Sequence, residues 1–301
     1  MRLYLTADDA GSSPEVNAAI ARACTVGYVN SVSYLVNLPA FDEAVDLVGS
    51  IPHVRRSLHL NAVEGRPMAL TRASPLVDDD GFFRHLGAGL LMRHATASRR
   101  IKAAMEENLA VEWSAQIRAF RAAFGNDTPL NVDSHLHVHH APFALSALFR
   151  AADDVGVSIN EMRIAREHPL PGISPHTLRY GYLSPNMAKW AFLSWASRRA
   201  ERSLSAASPR PRVPAAFCGV VTTLHMAEES CRRFLSRTDL DDDADSFVEI
   251  LIHPGGGQCL TEAWRRSKAL ARANQSPWRA REAALAASPM WAPYFPGHDS
   301  P

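Results

Sequence analysis

A chain of 301 residues, 47% of them hydrophobic, carries enough apolar matter for a full core, as one large α/β domain or two small ones. A formal net charge of +1 excludes the bulk field of a nucleic-acid binder. Cys24, Cys218, Cys231 and Cys259 are scattered with no C-x-x-C pair, which fits a reducing compartment better than a disulfide framework. The N-terminus lacks a signal-peptide layout and no apolar run reaches membrane-spanning length, so the expectation is a soluble, cytoplasmic protein without a transmembrane segment.

In chain order, Leu3 to Ala7 is a short apolar run that ends in Asp8-Asp9-Ala10-Gly11. Ser13 then offers an N-cap and Pro14 a first helical position, with Val16, Ala19, Ile20 and Ala23 as the apolar stripe. The acid pair therefore falls at the carboxyl end of the first strand, where α/β folds place their chemistry. Tyr28 to Val36 reads as a second strand, Pro39 to Val48 as a helix, and Val54 to Leu60 as a third strand that carries His59 near its end. Residues 66 to 100 show no clear period, and Asp78-Asp79-Asp80-Gly81 reads as a turn rather than a calcium loop because the later ligand positions are absent. Residues 101 to 124 form a long helix with Ile101, Met105, Leu109, Trp113, Ile117 and Phe120 on one stripe.

Next comes the stretch that carries most of the chemistry, Asp133-Ser134-His135-Leu136-His137-Val138-His139-His140. Read as a strand, it directs Asp133, His135, His137 and His139 to one face. Imidazole and carboxylate suit zinc and other divalent first-row ions, so this face predicts a metal site. A helix near 142 to 153 and a strand from Val157 to Ile164 follow, delivering Arg163 with Glu167 just beyond.

Residues 168 to 214 interrupt the rhythm with an apolar-basic segment from Met187 to Ala196, followed by Arg198, Arg199 and Arg202. It reads either as an amphipathic helix that meets a lipid or greasy substrate, with peripheral membrane contact, or as a helix packed on the barrel or a subunit contact. Phe247 to Ile252 is a buried strand ending in His253-Pro254-Gly255-Gly256-Gly257, and Asp239 to Asp245 a solvated acidic turn. The tail from 276 to 301 reads as loosely tied down. The alternation of strands and helices predicts one α/β domain over 1–275, a distorted TIM-like barrel with the 168–214 insertion.

Asp8, Asp9, His59, His135, His137 and His253 come from four strand ends that a barrel would bring to one face. One carboxylate and two imidazoles leave open positions for water and substrate, as in catalytic metal sites. A second carboxylate could take the water's proton and a histidine opposite could protonate the leaving group, which suits amide or ester hydrolysis.

Ala7-Asp8-Asp9-x-Gly11, Asn17, His59 with Glu64-Gly65-x-Pro67, Asp133-Ser134-His135-x-His137-x-His139, the Arg163 and Glu167 pair, and Glu249-x-x-x-His253-Pro254 together resemble the YdjC/ChbG-like carbohydrate deacetylases. The resemblance covers roughly residues 1–167 and 245–257. It implies a distorted β/α barrel, often dimeric, that removes N-acetyl groups from amino sugars with one divalent metal. It implies Asp9, His59 and His135 as metal ligands, Asp8 as general base and His253 as general acid or oxyanion partner. His137, Arg163 and Glu167 are then contacts to the substrate or to the ligands. Zinc is the chemical favourite for such a set, with magnesium, manganese or nickel as alternatives. The chain has Ala10 where members usually carry Phe. Its insertion is closer in size to the hopanoid-associated (HpnK) branch, whose substrates are N-acetylglucosaminyl lipids, yet it has Asp133-Ser134-His135 where that branch has Asn-Ala-His. The substrate expected is an N-acetylated sugar, either a soluble oligosaccharide or a glycolipid headgroup. A phosphoesterase of the polymerase-histidinol-phosphatase type is a second reading, weakened because the first strand ends in Asp-Asp rather than His-x-His. A non-catalytic metal-binding module is a third; it leaves Asp8 and His253 without a task.

Overall fold

The computed structural model describes residues 2–84, 87–168, 175–182, 184, 186–205, 209–238, 246–255 and 261–296. The acidic run Asp239–Asp245, the glycines Gly256 and Gly257, Cys259 and part of the insertion lie outside them.

The strands are β1 (Arg2–Ala10), β2 (Ser31–Tyr34), β3 (Arg55–Leu60), β4 (Leu130–Ser134), β5 (Ile159–Met162), β6 (Ala216–Cys218) and β7 (Phe247–Ile252). All pairings are parallel, in the order β5-β4-β3-β2-β1-β7-β6. Helices cover the connections, so strands such as Phe247–Ile252 are buried along their whole length and read as continuous apolar runs rather than alternating ones. The sheet also curls. Arg212 donates its N–H to the Asn160 carbonyl at 2.9 Å and accepts from Met162 N–H at 2.8 Å, while Ala215 N–H donates to the Phe247 carbonyl at 2.8 Å. One short segment is thus bonded to β5 on one side and β7 on the other, drawing the two sheet edges together. The α/β class and distorted TIM-like barrel expected from the sequence describe this arrangement.

The helices form where capping and periodicity place them. In α1 (Pro14–Thr25) Ser13 Oγ accepts from Val16 N–H, with Pro14 in the first turn. In α2 (Phe41–Val48) Phe41, Ala44 and Val48 are buried. The stretch without a clear period holds a helix that the sequence reading did not find, α3 (Gly87–Thr96), which buries only Gly87 and Leu90. So small an apolar face leaves little 3.6-residue signal. In α4 (Arg99–Phe124), Met105, Leu109, Trp113, Ile117 and Phe120 are fully buried. Beside that stripe Gln116 accepts from Asn61 N–H, and the Glu112 carboxylate accepts from the Met68 and Ala69 N–H groups. The 66–84 loop is thereby tied to the barrel. Within it, Asp78 Oδ1 accepts from Asp80 and Phe82 N–H, a turn as expected.

After α5 (Pro142–Val155), the insertion supplies α6 (Asn186–Leu204). Further on come α7 (Glu228–Leu235), α8 (Glu262–Arg266), α9 (Lys268–Asn274) and α10 (Pro277–Ala286). The described part of the tail is not loose. Arg279, Glu282, Leu285 and Ala286 of α10 are buried, and Trp291 beyond it is fully enclosed in the main core. Cys24, Cys218 and Cys231 are free and buried. No helix of the described residues is long and apolar enough to cross a membrane.

Candidate active site

The end of β1 departs from strand alternation, and that departure makes the site. Asp9 has φ 75°, and the pairing of β1 with β2 slips between Ala7 and Ala10. A bulge re-aims side chains. Here it lets two consecutive carboxylates face one imidazole: Asp8 Oδ2 and Asp9 Oδ1 each lie 3.8 Å from His59 Nε2. Gly11 completes the turn at φ +94°, where an added Cβ would stand 2.8 Å from the Leu35 carbonyl.

His59 is oriented from behind. Its Nδ1–H donates to Asp133 Oδ1 at 2.6 Å, which leaves Nε2 directed at the two β1 carboxylates. Asp133 is itself fixed by the Ser33 hydroxyl at 2.5 Å and by Arg163 Nη2 at 3.1 Å. Asp9 is handled in the same way. Arg279 donates through Nη1 and Nη2 to Asp9 Oδ2 at 3.1 and 3.0 Å, leaving Oδ1 to face His59 and His135. Burial raises the Asp9 carboxyl, but His135, Arg279 and His253 outweigh it and hold it well below the usual carboxylate range.

His135 stands between two acids, its Nδ1 3.3 Å from Asp9 Oδ1 and its Nε2 3.1 Å from Glu64 Oε2. Glu64 is anchored by Trp264 Nε1–H at 2.6 Å. Burial alone would lower this imidazole, yet the Asp9 and Glu64 carboxylates push it up to about 10.

Arg163, fully buried, binds three carboxylates. It donates to Asp8 Oδ2 and Oδ1 at 2.7 and 2.9 Å, to Glu249 Oε1 at 2.7 Å, and lies against Asp133. Desolvation works against its charge, and Asp133, Asp8 and Glu249 override that and raise it well above the ordinary arginine value.

The His-rich stretch is not one strand face. β4 stops at Ser134, and Leu136 and His137 take φ 54° and 57° inside a 3₁₀ run from His135 to His140. The imidazoles therefore diverge. His139 Nε2–H donates to the Arg163 carbonyl at 2.7 Å, and its Nδ1 accepts the Ser134 hydroxyl at 2.6 Å. His140 Nε2 accepts from Ala165 N–H at 2.9 Å. Both are packed into the frame, and burial keeps both neutral, with His139 pushed down to about 4. A depressed imidazole means that the folded state binds fewer protons than the unfolded one. The His139 contribution to stability is then complete above about pH 6.5 and lost as pH falls through 4, amounting to about 3 kcal/mol. Urea unfolding between pH 7 and 4 is expected to show this slope, and His139→Gln to flatten it; an unchanged slope in the variant would refute the assignment.

His253 follows β7. Its N–H donates to Glu282 Oε2 at 2.6 Å, and its Nδ1 lies 3.7 Å from the same oxygen. Glu282 Oε1 also accepts from Met226 N–H at 2.9 Å. Glu167 accepts from the Val220 and Val221 N–H groups at 2.7 Å each, so that carboxylate ties the chain after β5 to the turn after β6. His137 is buried at the edge of the site with Nδ1 unbonded. Arg279 and Glu282, which sequence reasoning missed, hold Asp9 and His253 from α10. The trace available was the Ser276-Pro277 helix start followed by two charges spaced i, i+3.

Two groups of side chains have metal-ligand spacing among the described residues: Asp9, His59 and His135, and Asp8, His59 and Asp133, with one donor atom from each within 4.8 Å of the others. The first fits a cation better. Asp9 Oδ1 and His59 Nε2 are buried without a hydrogen-bond partner, and His135 presents Nδ1 to the same Asp9 oxygen at 3.3 Å while its Nε2 faces Glu64. In the second group Asp8 is already bound by Arg163, and Asp133 by His59 and Ser33. Two imidazoles and a carboxylate form a donor set of catalytic type for a divalent ion.

Fold and site together define a curled parallel α/β barrel with a carboxylate–imidazole centre at the carboxyl ends of its strands. A family model described as YdjC-like protein matches residues 2–295, and the chain belongs to that family. It is 34% identical over 139 residues to a carbohydrate deacetylase of Halalkalibacterium halodurans, covering 46% of this chain and 54% of that protein. It is 36% identical over 170 residues to a carbohydrate deacetylase of Homo sapiens, covering 55% and 50%. The chain thus spans about half the length of these curated relatives. A chitooligosaccharide deacetylase of Escherichia fergusonii is 30% identical over 209 residues, covering 67% and 78%. A crystal structure from Enterococcus faecalis V583 superposes with TM-score 0.63 at 21% identity, over 96% of this chain and 91% of that one, a likeness of fold alone.

Proposed function

We propose that the chain hydrolyses the acetamide of an N-acetylated amino sugar, with one divalent cation held by Asp9, His59 and His135. The observation that carries this reading is the convergence of Asp9, His59 and His135, with Asp9 Oδ1 and His59 Nε2 buried and unpartnered, beside a separate, Arg163-held carboxylate, Asp8. The cation, zinc in first place and magnesium, manganese or nickel as alternatives, would lower the pKa of water and polarise a carbonyl.

The protein groups do the rest. Asp133 fixes the His59 ring so that Nε2 faces the site, and Arg279 turns Asp9 Oδ1 toward it. Asp8, with Oδ2 3.8 Å from His59 Nε2, accepts the proton of the attacking water. Arg163 keeps both Asp8 oxygens in register. His253, braced by Glu282, donates a proton to the amine as the C–N bond breaks. Buried carboxylates close to the ligating positions exclude bulk water and fix the geometry before substrate arrives.

Acetate release from a panel of N-acetyl sugars, measured beside p-nitrophenyl phosphate turnover, tests the reaction. Acetate without phosphate release is the expected result; the reverse pattern would establish a phosphoesterase. The ligand set has its own test: His59→Ala and His135→Ala are each expected to lower bound divalent metal at least about tenfold by elemental analysis. Full metal content in both variants would remove these residues from the set.

A further inference from the structure

α6 brings the site one side chain that the proposed hydrolysis does not use, Lys189. The first turn of this helix is held on two sides. Asn186 Nδ2–H donates to the Val221 and Thr223 carbonyls at 3.1 and 3.4 Å, and Trp190 Nε1–H donates to the Glu167 carbonyl at 2.9 Å. Trp190 also packs on the small core of Ala165, Leu193, Phe217, Val220 and Leu251. Residues 186, 189 and 190 share one face of a helix, so anchoring the first and the last fixes the direction of Lys189. The insertion thus packs on the barrel as one of its two readings expected, and the packing delivers a cation.

That cation stands among the groups of the site. Lys189 and His137 together line a cavity of about 790 Å³. Glu167, Asp8 and Asp9 are near enough to favour the Lys189 charge, yet burial outweighs them and pushes the amine down to about 8. His137 feels it in turn: burial first, then the Lys189 charge, hold that imidazole well below its ordinary range. Among the described residues Lys189 Nζ has one hydrogen-bond partner, Thr223 Oγ1 at 3.4 Å, and no ion pair. Thr223 already donates to the Gly219 and Val220 carbonyls at 2.7 and 2.8 Å, which makes it a fixed and distant acceptor.

The other two cations beside these carboxylates are committed. Arg163 is bonded to Asp8 and Glu249, and Arg279 to Asp9 and Asn274. An ammonium carries three donors, so Lys189 alone keeps donors in reserve. An enclosed charge short of partners is costly, and an acceptor brought by the substrate relieves that cost. In the deacetylase reading the acyl carbonyl and the departing amine already have their partners, which leaves the sugar ring. Carbon 2 bears the acetamide and carbon 1 the glycosidic oxygen, so the free hydroxyl next to the reacting group is that of carbon 3.

We propose that Lys189 is a specificity residue supplied by the insertion, its ammonium donating to the 3-hydroxyl of the amino sugar whose acetamide is hydrolysed. The proposal rests on the deacetylase reading for the identity of the ligand.

Calorimetric titration of the zinc-loaded protein with methyl N-acetylglucosaminide and its 3-, 4- and 6-deoxy analogues, paired with acetate release, tests it. In the wild type the 3-deoxy sugar is expected to bind about ten- to hundredfold more weakly than the parent, the scale of a hydrogen bond to a charged group. Lys189→Met should weaken the parent by the same factor and leave the 3-deoxy sugar with no further loss, at unchanged metal content and melting temperature. Its KM should rise while kcat stays within about threefold, because the contact exists before and during the reaction. The 4- and 6-deoxy penalties should be equal in the two proteins. Additive losses for the 3-deoxy sugar, coupling to another hydroxyl instead, or a fall in kcat at constant KM overturn the proposal. So does an equal loss on all four sugars with a lower melting temperature, the mark of a packing residue. The wild-type comparison needs no variant, and a 3-deoxy sugar that binds as well as the parent, or no binding by any of the four, also overturns it. Coupling at the 3-hydroxyl without acetate release sustains the contact and defeats the hydrolytic reading; acetate release with additive losses does the reverse.

Discussion

Replacing Asp8 with asparagine is expected to lower deacetylation turnover by about a hundredfold or more, while bound metal stays at the wild-type level. Asparagine keeps the size of the side chain and an oxygen for Arg163, so the frame around β1 should hold. It cannot take up the proton of the attacking water. The split between turnover and metal content follows from the two roles given to adjacent acids. Asp9 Oδ1 is buried without a partner, as a ligand atom would be, whereas both Asp8 oxygens are engaged by Arg163 at 2.7 and 2.9 Å. A bidentate clamp leaves each carboxylate oxygen a further lone pair, and Oδ2 stands 3.8 Å from His59 Nε2, at the edge of the same donor cluster. Steady-state acetate release together with elemental analysis of the same preparation makes the check. If metal disappears with the Asp8 carboxylate, Asp8 is a ligand. If turnover stays near normal, the base lies elsewhere.

What the sequence revealed and what it concealed both follow from physical causes. Ser13-Pro14 is a local signal, because capping involves only the first helical turn, and it located the end of β1 and thus Asp8 and Asp9. The stripe from Met105 to Phe120 is legible because every fourth or third residue meets the same barrel wall. The His-rich stretch misled for a specific reason. Alternation along a strand is a safe inference only while the backbone remains extended, and no residue between Asp133 and His140 is a glycine or proline to announce the break at Leu136 and His137. The left-handed conformation of two side-chain-bearing residues costs energy and persists where tertiary contacts enforce it. Arg279 and Glu282 were hidden by another cause. They lie on the buried side of α10, where an apolar-stripe search expects hydrocarbon, and their partners Asp9 and His253 are 270 and 29 residues away in sequence. Long-range pairing of buried charges leaves no periodic trace.

Arg163→Met is expected to be the most destabilising single substitution in the site, with a loss of about 3–5 kcal/mol, because it leaves buried carboxylates without their counter-charge. Methionine matches the aliphatic length of the arginine side chain, so the effect is electrostatic rather than a cavity. Asp8, Asp133 and Glu249 all rely on the one guanidinium, and all three are buried. His59 holds Asp133 independently at 2.6 Å, so the orphaned pair is Asp8 and Glu249. That asymmetry yields a double-variant test. Arg163→Met combined with Glu249→Gln should recover part of the lost stability, since one repelling charge is gone. Arg163→Met combined with Ser33→Ala should recover none, since it removes a second support from Asp133. Urea unfolding at pH 7.5 measures the wild type, the three single variants and the two double variants. Additive losses in the first pair would mean that Arg163 and Glu249 are not coupled. Arg163 would then be a fixture of Asp8 alone, and Glu249 would need a separate cation or a proton to stay buried.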